Sequence, residues 1–84
     1  AQPRALEDGE IREIIARFAT TASLAEQAGF TGVQVHAAHG YLISQFLSPL
    51  VNKRTDQWGG SRENRARFLL ETVKAVRAKV SPGF

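Results

Sequence analysis

Only one stretch of this chain has the pattern of a β-strand, and it lies between two helical patterns. Over Gly32–His36, Val33 and Val35 alternate with Gln34 and His36, which puts the valines on one face and the polar pair on the other. A lone strand leaves its backbone N–H and C=O groups without partners, which is costly when they are buried. Short connections to helices on both sides are typical of a parallel sheet. The sequence therefore predicts an α/β fold that other strands must complete, so we expect these residues to be part of something larger.

Two amphipathic helices are predicted on either side of this strand. The first begins at about Asp8, a candidate N-cap, and ends at Gly29, because glycine suits the left-handed position that follows many helices. The second begins after Ser61, also a candidate N-cap, and ends at residues 81–83. A short helical turn is predicted over 41–47 and a loop over 50–60. The apolar stripes comprise Ile11, Ile14, Ile15, Phe18, Ala22 and Ala25 in the first helix, and Ala66, Leu69, Leu70, Val73, Val76 and Val80 in the second.

The composition excludes several kinds of chemistry. The chain has no cysteine, which removes disulfides, thiolate metal sites and cysteine nucleophiles. Its net charge of +3 comes from dispersed basic residues without interleaved aromatics, so we expect no nucleic-acid partner. The sequence has no apolar run long enough to span a membrane and no leader peptide, and we expect a cytoplasmic protein without membrane contact.

Three chemically capable side chains follow the predicted strand within six positions. His36, His39 and Tyr41 are the only histidines and the only tyrosine of the chain. They lie at the carboxyl end of the strand, where substrates bind in folds built from strand–helix units. Two imidazoles can donate N–H bonds to one carbonyl oxygen, and a phenol, ordinarily protonated at neutral pH, can give a proton to a carbanion or enolate carbon. The trio therefore indicates a site that polarises a carbonyl and protonates a carbon, with electrons supplied from elsewhere.

Other interpretations of the same residues stay open at this point. His36 alone is compatible with a hydrogen-bonded core histidine. A zinc site needs a third protein ligand, and no His-Glu-x-x-His pattern or nearby carboxylate supplies one, so we expect no metal. Asn52, Arg54 and Asp56 are interpreted as loop residues that bond the loop's own backbone, and Trp58 as its hydrophobic anchor.

The motifs around these residues resemble those of a known family. They are His36-Ala-Ala-His39-Gly-Tyr41-Leu, then Gln45-Phe-Leu-Ser-Pro49, then Asn52-Lys-Arg54-Thr-Asp56-Gln-Trp58-Gly-Gly-Ser61, and finally Glu63-Asn-Arg-Ala-Arg-Phe68. Together they resemble the Old Yellow Enzyme family of FMN-dependent ene-reductases, and the resemblance covers essentially the whole chain. Other members carry asparagine at the position of His39, and tyrosine is more usual at the position of Trp58.

This resemblance implies a (β/α)₈ TIM barrel of which residues 1–84 form the third helix, the fourth strand with its active-site loop, and the fourth helix. It implies that His36 and His39 bind the carbonyl or nitro oxygen of an activated alkene and that Tyr41 is the catalytic proton donor. The implied cofactors are FMN and the NADPH or NADH that reduces it. The family's flavin contacts come mainly from other parts of the barrel, so no residue here is assigned to FMN.

Two alternatives accompany this expectation. In the first, the chain is a non-catalytic fragment or assembly module that packs on other chains. In the second, the chain is part of a related barrel flavoenzyme of the dienoyl-CoA reductase or amine dehydrogenase type. The expected partners are a small-molecule alkene, the remainder of the barrel and, for the intact protein, further copies of itself in a homo-oligomer.

Overall fold

Three helices make up the regular structure of residues 3–84, the part of the chain that the computed structural model describes. They are α1 (Asp8–Gln27), α2 (Leu42–Leu47) and α3 (Arg62–Lys79). Both α1 and α2 pack against α3. The predicted extents of all three are confirmed to within two residues, as is the irregular loop between α2 and α3.

The core consists of six buried side chains, which come from all three helices and from the loop. The Phe68 ring packs edge-on against Phe46, with 4.8 Å between centroids, and lies 6.3 Å from Trp58. Such edge-to-face pairs are favourable because the positive edge of one ring meets the negative face of the other. The members are Ile11, Ile15, Ile43, Phe46, Trp58 and Phe68.

Trp58 is a hydrophobic anchor of the loop, as expected from the sequence, and it also contacts the start of α1. Its side chain is fully buried, and its indole N–H donates to Asp8 Oδ1 at 2.6 Å. This hydrogen bond, followed by those from Arg12 and Gln57, lowers the pKa of the Asp8 carboxyl. Asp8 is therefore not the N-cap of α1. The cap is Glu7, whose backbone N–H donates to Glu10 Oε1 at 2.9 Å.

The predicted strand is not formed in residues 3–84. No β-strand occurs in this range, and residues 32–38 have no regular secondary structure. The α/β expectation is thus not confirmed by the described residues alone, because a strand requires a neighbouring strand and residues 3–84 provide none. Val33, expected on the packing face, is 47% exposed.

The apolar face of α3 also differs from the prediction. Ser61 is its N-cap and accepts a hydrogen bond from the Asn64 N–H at 3.1 Å, as expected. The buried residues, however, are Phe68 and Thr72, whereas Leu70 and Val73 of the predicted stripe are exposed. Helix α3 turns Phe68 towards α1 and α2, so that part of its apolar stripe faces away from the core.

Across residues 3–84, no helix combines the length and apolar character that a bilayer crossing requires.

Candidate active site

A tight turn carries two of the three candidate side chains. The N–H of Tyr41 donates to the carbonyl oxygen of Ala38 at 3.3 Å, which closes a four-residue turn. The central residues, His39 and Gly40, have φ angles of 60° and 77°. Two successive positive φ angles are typical of a type I′ turn and suit glycine, whereas non-glycine residues seldom adopt them.

The ring of His36, which precedes this turn, lies close to the two rings that the turn carries. The His36 ring centroid lies 5.4 Å from that of His39 and 5.4 Å from that of Tyr41. All three side chains are exposed, Tyr41 by 64%. The core-histidine interpretation of His36 is therefore not what the structure has. The rings form an open cluster on the surface of the described chain.

A backbone contact selects the tautomer of His36. Its Nδ1 atom accepts a hydrogen bond from the N–H of Ala38 at 3.3 Å. An accepting Nδ1 carries no proton, so in the neutral ring the proton is on Nε2. Nε2–H is then a donor available to another group. Such a donor can bind an oxygen acceptor.

Two side chains that the sequence did not single out for a role contact the same turn. Ser44 Oγ accepts the N–H of Gly40 at 3.2 Å, and Gln45 Nε2 donates to the Gly40 carbonyl at 2.8 Å. Both residues belong to α2, which begins directly after Tyr41. The sequence signal for these contacts is the presence of polar residues in the first turn of a helix that directly follows a glycine-containing turn.

The loop after α2 is fixed by its own side chains, as predicted. Asn52 Nδ2 donates to the carbonyls of Phe46 and Trp58 at 2.7 and 2.8 Å, and its Oδ1 accepts the N–H of Arg54. Arg54 binds both carboxylate oxygens of Asp56, at 3.0 and 2.7 Å. This contact is the main reason that the pKa of Asp56 is lowered.

One contact of this loop was not predictable from local sequence. Arg54 Nη1 donates to the carbonyl of Leu6 at 2.7 Å, across 48 positions of the chain. The loop and the segment that leads into α1 are thereby tied together.

The glycines before α3 make several hydrogen bonds within the chain. The Gly59 N–H donates to the carbonyl of Asp56, and the N–H of Asn64, the third residue of α3, donates to Ser61 Oγ. The carbonyls of Gly59 and Gly60 point to donors on Asn64 and Arg65. We assign no flavin phosphate to this turn. Nor does the range 3–84 contain three His, Cys, Asp or Glu side chains grouped to hold a metal ion.

The cavities of the described chain lie beside the ring cluster. One of about 460 Å³ is lined by residues that include Leu6, Leu42, Gln45 and Arg54, and none of the three rings lines it. A second, of about 370 Å³, lies between α1 and residues 33–35. The rings themselves stand on open surface.

The open pair of imidazoles beside a phenol presents potential N–H and O–H donors on one part of the surface. A family model described as the NADH:flavin oxidoreductase / NADH oxidase family matches residues 1–84. The chain belongs to this family, and the resemblance to Old Yellow Enzymes seen in the sequence is confirmed.

Named relatives agree with this assignment. The chain is 57% identical over 75 residues to an NADPH dehydrogenase of Clostridium acetobutylicum, which covers 89% of the chain and 22% of the relative. It is 52% identical over 83 residues to an NADH-dependent flavin oxidoreductase of Hypocrea jecorina, covering 99% of the chain and 21% of the relative. The chain thus spans about a fifth of the length of the curated relatives it matches.

Solved structures are similar over nearly all of the chain. Morphinone reductase matches with a TM-score of 0.92 and 49% identity, over 99% of this chain and 22% of that one. A complex of 2-naphthoyl-CoA reductase matches with a TM-score of 0.94 and 48% identity, over 96% of this chain and 12% of that one.

Proposed function

We propose that this chain is part of an FMN-dependent oxidoreductase that reduces activated C=C bonds, such as those of enones, at the expense of NADPH or NADH. Family membership supports the oxidoreductase class. The single observation that carries the finer proposal is the exposed cluster of His36, His39 and Tyr41, in which the His36 ring centroid lies 5.4 Å from each of the other two. The cluster has two potential N–H donors and one O–H donor within reach of one small molecule.

Each residue has a separate role in this proposal. The Nε2–H of His36 and the ring of His39 bind the carbonyl or nitro oxygen and stabilise the negative charge that develops on it. Tyr41 gives its phenolic proton to the α-carbon. Reduced FMN, when bound, supplies hydride for the β-carbon. The described residues hold the substrate's oxygen and deliver the proton, and the flavin is bound by residues outside them.

The proposed setting is a (β/α)₈ barrel with residues 1–84 as its third helix, fourth strand with active-site loop, and fourth helix. Two features of the described chain support it. Residues 32–38 lack the neighbours that a strand needs, and barrel strands on both sides would supply them. Val33, Leu70 and Val73 expose apolar surface that adjoining elements would cover. We further propose a cytoplasmic homo-oligomer, on composition and family resemblance.

The test is Tyr41→Phe in the full-length protein. We expect alkene reduction to slow by roughly 10²–10⁴-fold, the usual contribution of a general acid. Flavin reduction by NAD(P)H should be unchanged, because that step needs no proton donor at the alkene carbon. His36→Ala serves as a contrast, because it should weaken substrate binding as well as the rate.

Equal losses in the two half-reactions would contradict the role given to Tyr41. A colourless full-length protein without bound flavin would instead favour the non-catalytic assembly module. Flavin absorbance and size-exclusion chromatography separate these outcomes.

A second candidate substrate class is favoured by one comparison. A structure of 2-naphthoyl-CoA reductase is similar to this chain with a TM-score of 0.94. A coenzyme A thioester also presents a carbonyl oxygen next to a reducible carbon framework, so the same His pair could bind it. Parallel assays with a cyclic enone and an enoyl-CoA thioester, at equal concentrations, distinguish the two classes by kcat/KM.

A further inference from the structure

Gly40 is held from both sides by α2. Its N–H belongs to the peptide that joins it to His39, and its carbonyl belongs to the peptide that joins it to Tyr41. Ser44 Oγ accepts from the first at 3.2 Å, and Gln45 Nε2 donates to the second at 2.8 Å. The two peptide groups that lie between His39 and Tyr41 are therefore both held by residues of α2.

The helix that provides these contacts is itself anchored. Ile43 and Phe46 of α2 are buried in the core, with exposures of 1% and 8%. The intervening Ser44 and Gln45 project from the same rigid turn of helix towards Gly40. The hydrogen bonds from Ser44 and Gln45 thus connect the turn to the packed interior. The rings of His39 and Tyr41 remain exposed.

The turn needs such a hold. His39 has a positive φ of 60°, which non-glycine residues seldom adopt. Gly40 samples positive and negative φ about equally well, so it does not by itself fix the conformation. The turn's own closing bond, Tyr41 N–H to the Ala38 carbonyl, is long at 3.3 Å. The contact from Gln45 is the shortest hydrogen bond made to the turn.

We propose that Gln45, assisted by Ser44, is a positioning residue that sets the directions of His39 and Tyr41 for substrate. Gln45 acts through the Gly40 carbonyl and does not itself bind the reacting atoms. This inference rests on the proposed function, since it concerns the reaction that His39 and Tyr41 carry out. Small displacements of such groups are expensive, because a shift of about 1 Å can cost roughly a hundredfold in rate.

The test uses Gln45→Glu in the full-length, flavin-loaded protein. Glutamate has the same size but cannot donate to a carbonyl when ionised. The matched control is Gln27→Glu, the same change at an exposed residue of α1 whose side chain bonds only to Ser23 among described groups. We expect Gln45→Glu to lower kcat/KM for the alkene by roughly ten- to a hundredfold. Flavin reduction by NAD(P)H and the thermal midpoint should match those of the control.

A donor-retaining variant separates positioning from simple structural support. Gln45→Lys keeps an N–H donor at this place and should recover part of the alkene activity, whereas Gln45→Met should not. Ser44→Ala removes only the weaker contact and should produce a smaller loss, confined to alkene reduction. If Gln45→Glu fails to fold, Ser44→Ala and Gln45→Met provide the same comparison.

The outcomes distinguish this inference from the proposed function. If Tyr41→Phe slows alkene reduction but Gln45→Glu behaves like Gln27→Glu, the positioning role is wrong and the proposed function stands. If Gln45→Glu impairs flavin reduction as much as alkene reduction, the effect is structural and the positioning role is also wrong. If the wild-type protein reduces no alkene, the proposed function itself fails.

Discussion

Replacing Gly59 by alanine tests how rigid the loop between α2 and α3 is. A Cβ atom built on Gly59 would lie 2.6 Å from Cβ of Arg54, 2.7 Å from its carbonyl oxygen and 2.7 Å from Oδ1 of Asn52. These distances are roughly 0.8 Å inside normal van der Waals contact. None of the three atoms is the free end of a flexible side chain.

The magnitude follows from what must move. Asn52 cannot withdraw without weakening its bonds to Phe46, Trp58 and Arg54. Arg54 is tied to Asp56 and Leu6. Overpacking at well-packed positions costs typically 1–3 kcal/mol, and the rigid surroundings put Gly59→Ala at about 3 kcal/mol.

The assay is urea unfolding of the full-length protein, with circular dichroism as the signal. Gly59→Ala should lower the unfolding midpoint at an unchanged slope. Gly60→Ala is a conformational contrast, because its Cβ would meet open space but φ is +92°, and its cost should be about 1–2 kcal/mol. Gly9→Ala, in α1 with nothing within 4 Å of the added Cβ, should instead raise the midpoint slightly, because alanine in a helix is more stable than glycine by roughly 0.5–1 kcal/mol. A midpoint for Gly59→Ala equal to that of Gly9→Ala would refute the rigidity of the loop.

Two further predictions concern other parts of the chain. Hydrogen bonds from Arg4 and then from the Glu7 N–H lower the pKa of Glu10 from 4.5 to about 2, so its stabilising effect is complete above pH 4.5 and is lost as the pH falls towards 2. The urea midpoint should therefore fall more between pH 6 and pH 3 in the wild type than in Glu10→Gln, and equal decreases would contradict the effect. Thr72 is fully buried, and its Oγ1 has no hydrogen-bond partner among described groups. Thr72→Val should raise the urea midpoint and increase the free energy of unfolding by about 1 kcal/mol. A lower midpoint would mean that the hydroxyl has a partner in the full-length protein.

Local patterns were sufficient for the helices and for the position of the ring cluster. The start of α3 at Ser61 and the end of α1 before Gly29, whose φ is +98°, follow from capping chemistry that involves only neighbouring residues. The proximity of His36, His39 and Tyr41 follows from their spacing on one short segment.

Features that depend on distant residues were not predictable in this way. Asp8 has the right side chain for an N-cap, but Trp58, 50 positions away, draws its carboxylate into another contact. The strand predicted over 32–36 requires neighbouring strands, and none occurs in residues 3–84. The face of α3 that is buried is determined by the positions of α1 and α2, which helical periodicity alone does not define.

The left-handed backbone at position 39 restricts which amino acids can serve there. A residue at this point must tolerate a φ of 60° and, in the role proposed for His39, must also offer an N–H group to the substrate. Histidine and asparagine are among the few that meet both conditions, since each is enriched in this region of backbone space and each has a side-chain N–H. Threonine and valine are disfavoured because branching at Cβ clashes with this backbone. An exchange of His39 for asparagine should therefore leave the turn's architecture intact.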